Sequence, residues 1–117
     1  MVAFEVEDYN DGITFSGSTY TASEIGLYHF DVLVTWSLVS VGAASSYTIN
    51  ILKSGTVQNF HTIKIPAGTT GGYSQQISCD MKLSIGSTVT VEVFQNSGIS
   101  QNLAVGRGVY FSGHRVY

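Results

Sequence analysis

The sequence predicts an all-β fold, an antiparallel sandwich or jelly roll of about eight to ten short strands with no helix. Apolar residues recur at every second position over most of the chain, and the helical period of 3.6 residues is nearly absent. Turn residues separate these alternating runs. The chain has 117 residues, enough for one hydrophobic core but not for two. We therefore expect residues 1–117 to form a single domain.

The alternating runs define the individual strands in order. Residues 27–38 start after Gly26, and their buried face is formed by Tyr28, Phe30, Val32, Val34, Trp36 and Leu38. Residues 47–51 alternate in the same way before a turn at residues 53–56, which predicts a β-hairpin. A further strand, residues 60–65, stops at Pro66. Each strand shows one apolar face and one mixed face, as expected for an antiparallel sandwich.

The second half of the chain continues this pattern. Residues 73–85 form a long alternating strand that ends at Gly86. In the next strand Val89, Val91, Val93 and Gln95 share the core face. The last strand, residues 109–117, places Phe111 and Gly113 on one face and Tyr110, Ser112, His114 and Val116 on the other.

Composition excludes several classes of partner. Only 11% of the residues are charged and the net charge is -3, so the chain lacks the basic surface that nucleic acid requires. No apolar run approaches the ~18 residues of a membrane helix, and Met1 leads into a strand pattern rather than a signal peptide. We expect neither nucleic-acid binding nor membrane insertion. So few surface charges suit a protein that is buried in an oligomer or a larger particle.

Four motifs resemble the globular head of complement component 1q, a trimeric jelly roll related to tumour necrosis factor. They are Phe15 to Ala22 followed by Gly26-Leu-Tyr-His-Phe30, the hairpin Ile49 to Gly55, the segment Gly71 to Val89 with its Leu83-Ser-Ile-Gly86 step, and Phe111-Ser-Gly113. They occur in the family order. Ser87 stands where the family usually has Asp, and His114-Arg-Val-Tyr117 replaces the usual aliphatic end. The Ser/Thr/Gly-rich, lysine-poor sequence is more similar to bacterial or phage members than to animal ones.

The resemblance implies a homotrimer that forms the C-terminal head of a longer fibrous or assembly protein, located outside the cell, on its surface or on a virion. A trimer must bury side chains that a monomer exposes. The predicted interface residues are Leu52, Phe94, Tyr110 and Val116, on faces opposite the core. The alternative is a one-residue slip in strand register, which would place these side chains in the core.

Polar loops are the natural ligand-binding surface of such a scaffold. Tyr73, Asn96, Gln101 and Asn102 lie in or beside the longest loops, where an aromatic ring and amide groups suit stacking on a sugar and hydrogen bonding to it. The alternative is that these loops are solvated connections.

Cofactor and catalytic signals are weak. His29, His61 and His114 fall on different strands without the spacing of metal ligands, so we interpret them as ordinary polar residues. Glu7, Asp8 and Asp11 are compatible with a calcium loop, but three acids in a turn are usually only a turn. Cys79, the single cysteine, lies on an apolar face as an inert core thiol. No serine has the sharp setting of a nucleophile. We expect no cofactor and no enzyme activity.

Three functions therefore compete. The first is a trimeric head that recognises a cell-surface glycan or protein. The second is a purely structural module that trimerises or decorates a capsid, a tail or a bacterial assembly. The third is a small hydrolase, which the absence of a catalytic constellation disfavours. The sequence does not separate the first two.

Overall fold

A computed structural model describes residues 13–16, 19–38, 40, 42–99, 101–103 and 110–117. Glu7, Asp8, Asp11 and Val109 lie outside the described residues. The described chain is all-β without helix, as predicted. Its nine strands are β1 (Ile13–Ser16), β2 (Thr19–Ala22), β3 (Gly26–Leu38), β4 (Ser45–Lys53), β5 (Thr56–Ile65), β6 (Gly71–Leu83), β7 (Thr88–Gln95), β8 (Asn102–Leu103) and β9 (Tyr110–Arg115).

The strands form two antiparallel sheets. The five-stranded sheet has the order β1-β2-β7-β4-β5. In the four-stranded sheet β3 pairs with β6 along one edge and with β8 and β9 along the other. The two sheets pack their apolar faces together, and the fold is a β-sandwich.

Strand β3 is the centre of the four-stranded sheet. All 13 of its residues pair with β6, from Gly26 opposite Leu83 to Leu38 opposite Gly71. Its predicted inward face is confirmed, since every even position from Tyr28 to Leu38 is buried. The odd positions are partly or fully exposed. Period-two burial along so long a strand fixes which residues the sheet presents to solvent.

Three aromatic rings form the middle of the core. The ring of Tyr20 meets Phe111 edge-on at 4.7 Å and Phe30 at 5.6 Å between centroids. The Tyr20 hydroxyl donates a hydrogen bond of 3.0 Å to the carbonyl of Phe111. This bond satisfies the one polar atom that the cluster buries. The cluster therefore joins β2 of one sheet to β3 and β9 of the other.

The turns lie close to where the sequence indicates them, but several strand ends differ. Strand β4 begins at Ser45 instead of Tyr47, β5 at Thr56 instead of Phe60 and β6 at Gly71 instead of Tyr73, and β9 ends at Arg115 instead of Tyr117. The hairpin between β4 and β5 turns at Ser54 and Gly55, both with positive φ, as a two-residue type I′ turn requires. Strand β6 ends at Leu83 instead of Ile85, and Ile85 is 74% exposed. Gly86 adopts a φ of 87°, and the backbone nitrogen of Ser87 donates to the carbonyl of Ser84 at 3.0 Å, so Ile85 already belongs to the turn.

Candidate binding and assembly surfaces

The four predicted ligand-binding residues lie at one end of the sandwich, around Trp36 and Tyr47. Tyr73, near the start of β6, pairs with Trp36 of β3, and Asn102 of β8 pairs with Ser37 of β3. Asn96 follows Gln95, which pairs with Tyr47. The rings of Trp36 and Tyr47 are 5.0 Å apart and join the two sheets at this end, which we call the loop end.

Within the loop end, Asn96 has a structural role. Its side-chain Oδ1 accepts a hydrogen bond of 2.6 Å from the backbone nitrogen of Ser46. Its own backbone nitrogen donates to the carbonyl of Ser46 at 3.2 Å. These two bonds extend the pairing of β4 with β7 by one residue. The amide oxygen of Asn96 is therefore already used within the chain.

The turn after β7 is also ordered by internal hydrogen bonds. Gln95 Oε1 accepts a bond of 2.8 Å from the backbone nitrogen of Ser97, and Gln95 Nε2 donates to the carbonyl of Ile99 at 2.7 Å. Tyr73 differs from these residues, because its ring is exposed at the start of β6. It is the residue of the loop end best suited to stack on a ligand.

The four predicted interface residues do not form one surface. Tyr110 belongs to β9 in the four-stranded sheet, with Val116 just beyond it, whereas Phe94 and Leu52 belong to β7 and β4 in the five-stranded sheet. Their outer faces point in opposite directions. The expected row of exposed aromatics along the last two long strands is therefore absent, because those strands lie in different sheets.

Phe94 and Leu52 differ in how much surface they offer. Phe94 is 56% exposed, and its partner across the ladder is Thr48, which pairs in turn with Thr62. Leu52 pairs with Thr90 and is only 6% exposed in the single chain. Phe94 is thus an aromatic ring among threonines, and Leu52 has little area left for a partner.

Tyr110 and Val116 share the outer face of the four-stranded sheet with two leucines. Tyr110 pairs with Leu33, and the backbone nitrogen of Val116 donates to the carbonyl of Leu27 at 2.7 Å. Gln76 Nε2 donates to the Tyr110 hydroxyl at 3.4 Å. Two apolar pairs therefore lie on this face, with a polar row between them.

That polar row crosses three strands and includes two of the histidines. His29 pairs with Asp80 on one side and with His114 on the other, and the two imidazole rings are 5.5 Å apart. His29 Nδ1 lies 2.5 Å from Asp80 Oδ1, and Nε2 lies 3.0 Å from Asp31 Oδ2. The histidines lie on different strands, as expected, but the pairing of β3 with β9 brings two of them together. The sequence shows that both histidines lie on the outward faces of their strands, but it does not show that β3 pairs with β9.

The chemistry of this row follows from its hydrogen bonds. The bond to Asp80 is the main cause that raises the pKa of His29 above 6.5, burial opposes it, and the charge of Asp31 adds to it. Carboxylates only accept, so a protonated His29 donates to both aspartates. Ser78 donates to Asp31 at 2.5 Å rather than to His29. Neither nitrogen of this imidazolium is free to accept a proton or to bind a metal.

Cys79 lies outside this row. It packs against the core beside Phe30, and burial raises the pKa of its thiol. Among the described residues, His, Cys, Asp and Glu form no group of three or more that could hold a metal ion. The same part of the chain contains no helix long and apolar enough to cross a membrane.

A scan of the chain against protein-family models gives no match, and a search of the curated proteins gives none either.

Proposed function

We propose that this domain is the non-enzymatic, homotrimeric head of a fibre or surface protein and that it recognises a cell-surface glycan or protein. The observation that carries the proposal is the order of the strands. After β2 the chain passes to the other sheet for β3, returns for the hairpin β4 and β5, crosses for β6, returns for β7 and crosses again for β8 and β9. Such alternation between sheets is typical of a jelly roll.

The same order supports the resemblance to the complement 1q and tumour necrosis factor superfamily. Residues of the motifs behind that resemblance lie in the core and in the hairpin turn. Phe111 packs in the central aromatic cluster, and Gly113 pairs with Phe30. The Ser54-Gly55 turn closes the hairpin. The proposed location is extracellular, on a cell surface or on a virion.

The outer face of the four-stranded sheet is the proposed trimer interface. Its apolar pairs are Leu33 with Tyr110 and Leu27 with Val116. They lie on either side of the polar row of Asp80, His29 and His114, which we call the His29 row. Paired apolar residues on an open sheet face are better suited to a partner than a single ring among threonines. Tyr110 and Val116 therefore stay in the proposed interface, whereas Phe94 lies on the opposite side of the sandwich.

The His29 row supports a non-enzymatic function. Serine, histidine and aspartate meet there, but Ser78 donates to Asp31 and not to His29. A serine nucleophile requires the histidine as its base, with the aspartate behind it. Because both nitrogens of His29 already face carboxylates, the row does not provide that base.

Sedimentation equilibrium tests the trimer. We expect a species of three times the chain mass of 12.6 kDa, with no folded monomer at low concentration. Tyr110→Glu should dissociate it, because carboxylates ~5 Å apart repel by roughly 3 kcal/mol per pair at an effective dielectric near 20. Phe94→Glu is the matched control and should remain trimeric. A monodisperse 12.6 kDa wild type would refute the trimer.

A glycan array probed with the wild-type trimer tests recognition. Binding that Tyr73→Ala abolishes would support the loop end as a ligand site. The second candidate function, a purely structural trimerisation or decoration module, is favoured by the internal hydrogen bonds of Asn96 and Gln95, which stiffen the loop end without any ligand. An array without signal, obtained with a stable trimer, would select that function.

A further inference from the structure

Strand β5 forms an open edge of the five-stranded sheet. Within the described part of the chain it pairs only with β4, and no strand of the same sheet pairs with its other side. Seven of its ten residues are exposed, and the ring of Phe60 is 64% exposed. An open edge is a row of unpaired backbone donors and acceptors, which a strand of another chain can join. We call this side of β5 the free edge.

The backbone groups of every second residue point to the free edge. In an antiparallel ladder, hydrogen-bonded and non-hydrogen-bonded pairs alternate. Ser46 uses its nitrogen and its carbonyl on the β7 side, where both bond to Asn96. Its partner on β5, Lys64, therefore belongs to a non-hydrogen-bonded pair. By the same alternation Thr62 and Phe60 also direct their N–H and C=O groups to the free edge.

The half of β5 that precedes Pro66 is regular and ordered. The pairing with β4 shifts register at Gln58, near the hairpin turn, and residues 59–65 form an unbroken ladder. Asn59 begins this stretch. Its Oδ1 accepts a bond of 2.9 Å from the nitrogen of Phe60, and its Nδ2 donates to the carbonyl of Ser78 on β6 at 3.0 Å. The free edge is thereby attached to the second sheet, and a new strand would replace the bond between Asn59 and Phe60.

Residues 59–65 have few of the features that protect natural edge strands from pairing. Charged side chains, prolines and bulges are the usual protections. This stretch contains one lysine, Lys64, with no acidic residue and no proline, and the irregularity at Gln58 lies outside it. The free edge is therefore suited to pairing with an extended strand.

The same stretch is complementary to a second copy of itself. Thr62 is its midpoint, so a twofold axis at Thr62 places every residue of the stretch opposite a residue of the same stretch. In this register the backbone groups of Phe60 meet those of Lys64 in the second copy, and Thr62 meets Thr62. Threonine pairs stabilise neighbouring strands, and a lysine ammonium is attracted to an aromatic ring. The two lysines lie at opposite ends of the pairing, so their charges stay apart.

We propose that the free edge pairs antiparallel with the free edge of a second copy of this chain, centred on Thr62. The pairing continues the five-stranded sheet from one copy into the next and covers Phe60. It goes beyond the proposed function and does not depend on it, because β5 lies in the sheet opposite the proposed trimer interface. A trimer has three free edges, so this contact joins whole trimers to one another.

A cross-link between cysteines tests the contact and its register. In a hydrogen-bonded antiparallel pair the Cα atoms lie about 5.5 Å apart, within the ~4.4–6.8 Å that a disulfide spans. Under mild oxidation we expect Thr62→Cys to give a covalent dimer of chains on a non-reducing gel. Thr56→Cys is the matched control, since Thr56 is exposed on the same strand but lies outside residues 59–65. Both variants contain Cys79, so a cross-link through it would appear equally in both.

Two further substitutions at Thr62 test the backbone bonds. Thr62→Pro removes an N–H that points to the free edge, where edge strands accept proline, and Thr62→Ala retains it. Sedimentation velocity at rising concentration should show an increase in mass for the wild type and for Thr62→Ala. The increase should be lost in Thr62→Pro, and a thermal unfolding curve shows that this variant is folded.

The outcomes separate the edge pairing from the trimer. Equal cross-linking of Thr62→Cys and Thr56→Cys, no cross-link in either, or a mass increase that persists in Thr62→Pro would overturn the pairing. The cross-link should still form when Tyr110→Glu is combined with Thr62→Cys, and its loss there would place Thr62 at the trimer contact and overturn the inference. A wild type that never forms trimers, with a cross-link in Thr62→Cys, would refute the trimer and retain the edge pairing.

Discussion

The indole Nε1 of Trp36 donates a hydrogen bond of 2.7 Å to Oε1 of Gln75, and both side chains are buried. Gln75 Nε2 in turn donates to the carbonyl of Tyr47 at 3.0 Å. Gln75 thus links β6 and β3 of one sheet to β4 of the other. A buried amide with partners on both sides stabilises one arrangement of the two sheets.

We expect Gln75→Ala to destabilise the domain by at least about 2 kcal/mol, because it leaves the Trp36 N–H and the Tyr47 carbonyl buried without this partner. Urea unfolding followed by the fluorescence of Trp36, the only tryptophan, measures the change. Gln58→Ala, the same change at an exposed position of β5, should change stability by less than about 0.5 kcal/mol. Equal effects of the two substitutions would show that the buried bridge contributes nothing.

Gly113→Ala should destabilise the domain by about 1–3 kcal/mol through overpacking. A Cβ at this position would lie 2.5 Å from Cδ1 of Phe30, whose ring is confined by Tyr20 and Phe111. Thermal unfolding measures the effect. Gly42→Ala is the control, since a Cβ there meets nothing within 4 Å, and its melting temperature should match that of the wild type.

Phe111→Ala should cost about 3–5 kcal/mol, the usual loss for a buried aromatic side chain. Phe111 is 2% exposed, and its removal leaves the rings of Tyr20 and Phe30 without their neighbour. Phe60→Ala removes the same group from a side chain that is 64% exposed and should change stability by less than about 0.5 kcal/mol. Chemical unfolding curves with similar midpoints for the two variants would contradict the observed core.

The free energy of unfolding should depend on the charge of His29. Because Asp80 and Asp31 raise its pKa above 6.5 in the folded state, the stabilisation is complete below pH 6.5 and is lost as the pH rises through the folded-state pKa. We expect stability to fall over that window in the wild type and the fall to be absent in His29→Gln.

An NMR titration of the His29 ring in Asp80→Asn provides the second measurement. Loss of the principal hydrogen bond should lower the pKa of His29 toward 6.5. An unchanged pKa in this variant would mean that Asp80 does not hold the proton on His29.

Alternation along single strands was readable from the sequence, because burial repeats with period two wherever one face is covered. The inward face of β3 and the turn at Ser54 and Gly55 were both predicted correctly. The end of β6 was not, since Ile85 continues the apolar alternation beyond the point where the backbone turns at Gly86. Periodicity does not record a change of backbone direction.

The alternation of apolar residues does not predict which distant strands share a sheet or pair with each other. Phe94 and Tyr110 both face away from the core, but alternation does not show that their strands lie in different sheets. The contact between His29 and His114 was missed for the same reason, because the pairing of β3 with β9 joins residues that lie far apart in the chain. The order of the strands in the sheets decides both arrangements, and that order depends on contacts between residues that lie far apart in the sequence.

The position of β3 between β6 and β9 has a consequence for synthesis on the ribosome. Tyr20 and Phe111, which share a hydrogen bond in the core, are 91 residues apart in sequence. At about 5–20 residues per second, the ribosome delivers β9 seconds after β3 has emerged. Until then the edge of β3 that pairs with β9 is open, and the nascent chain presents the unpaired edge of an apolar strand to its neighbours. Three such chains growing side by side on one messenger would expose that strand to each other before any of them could close its own sandwich.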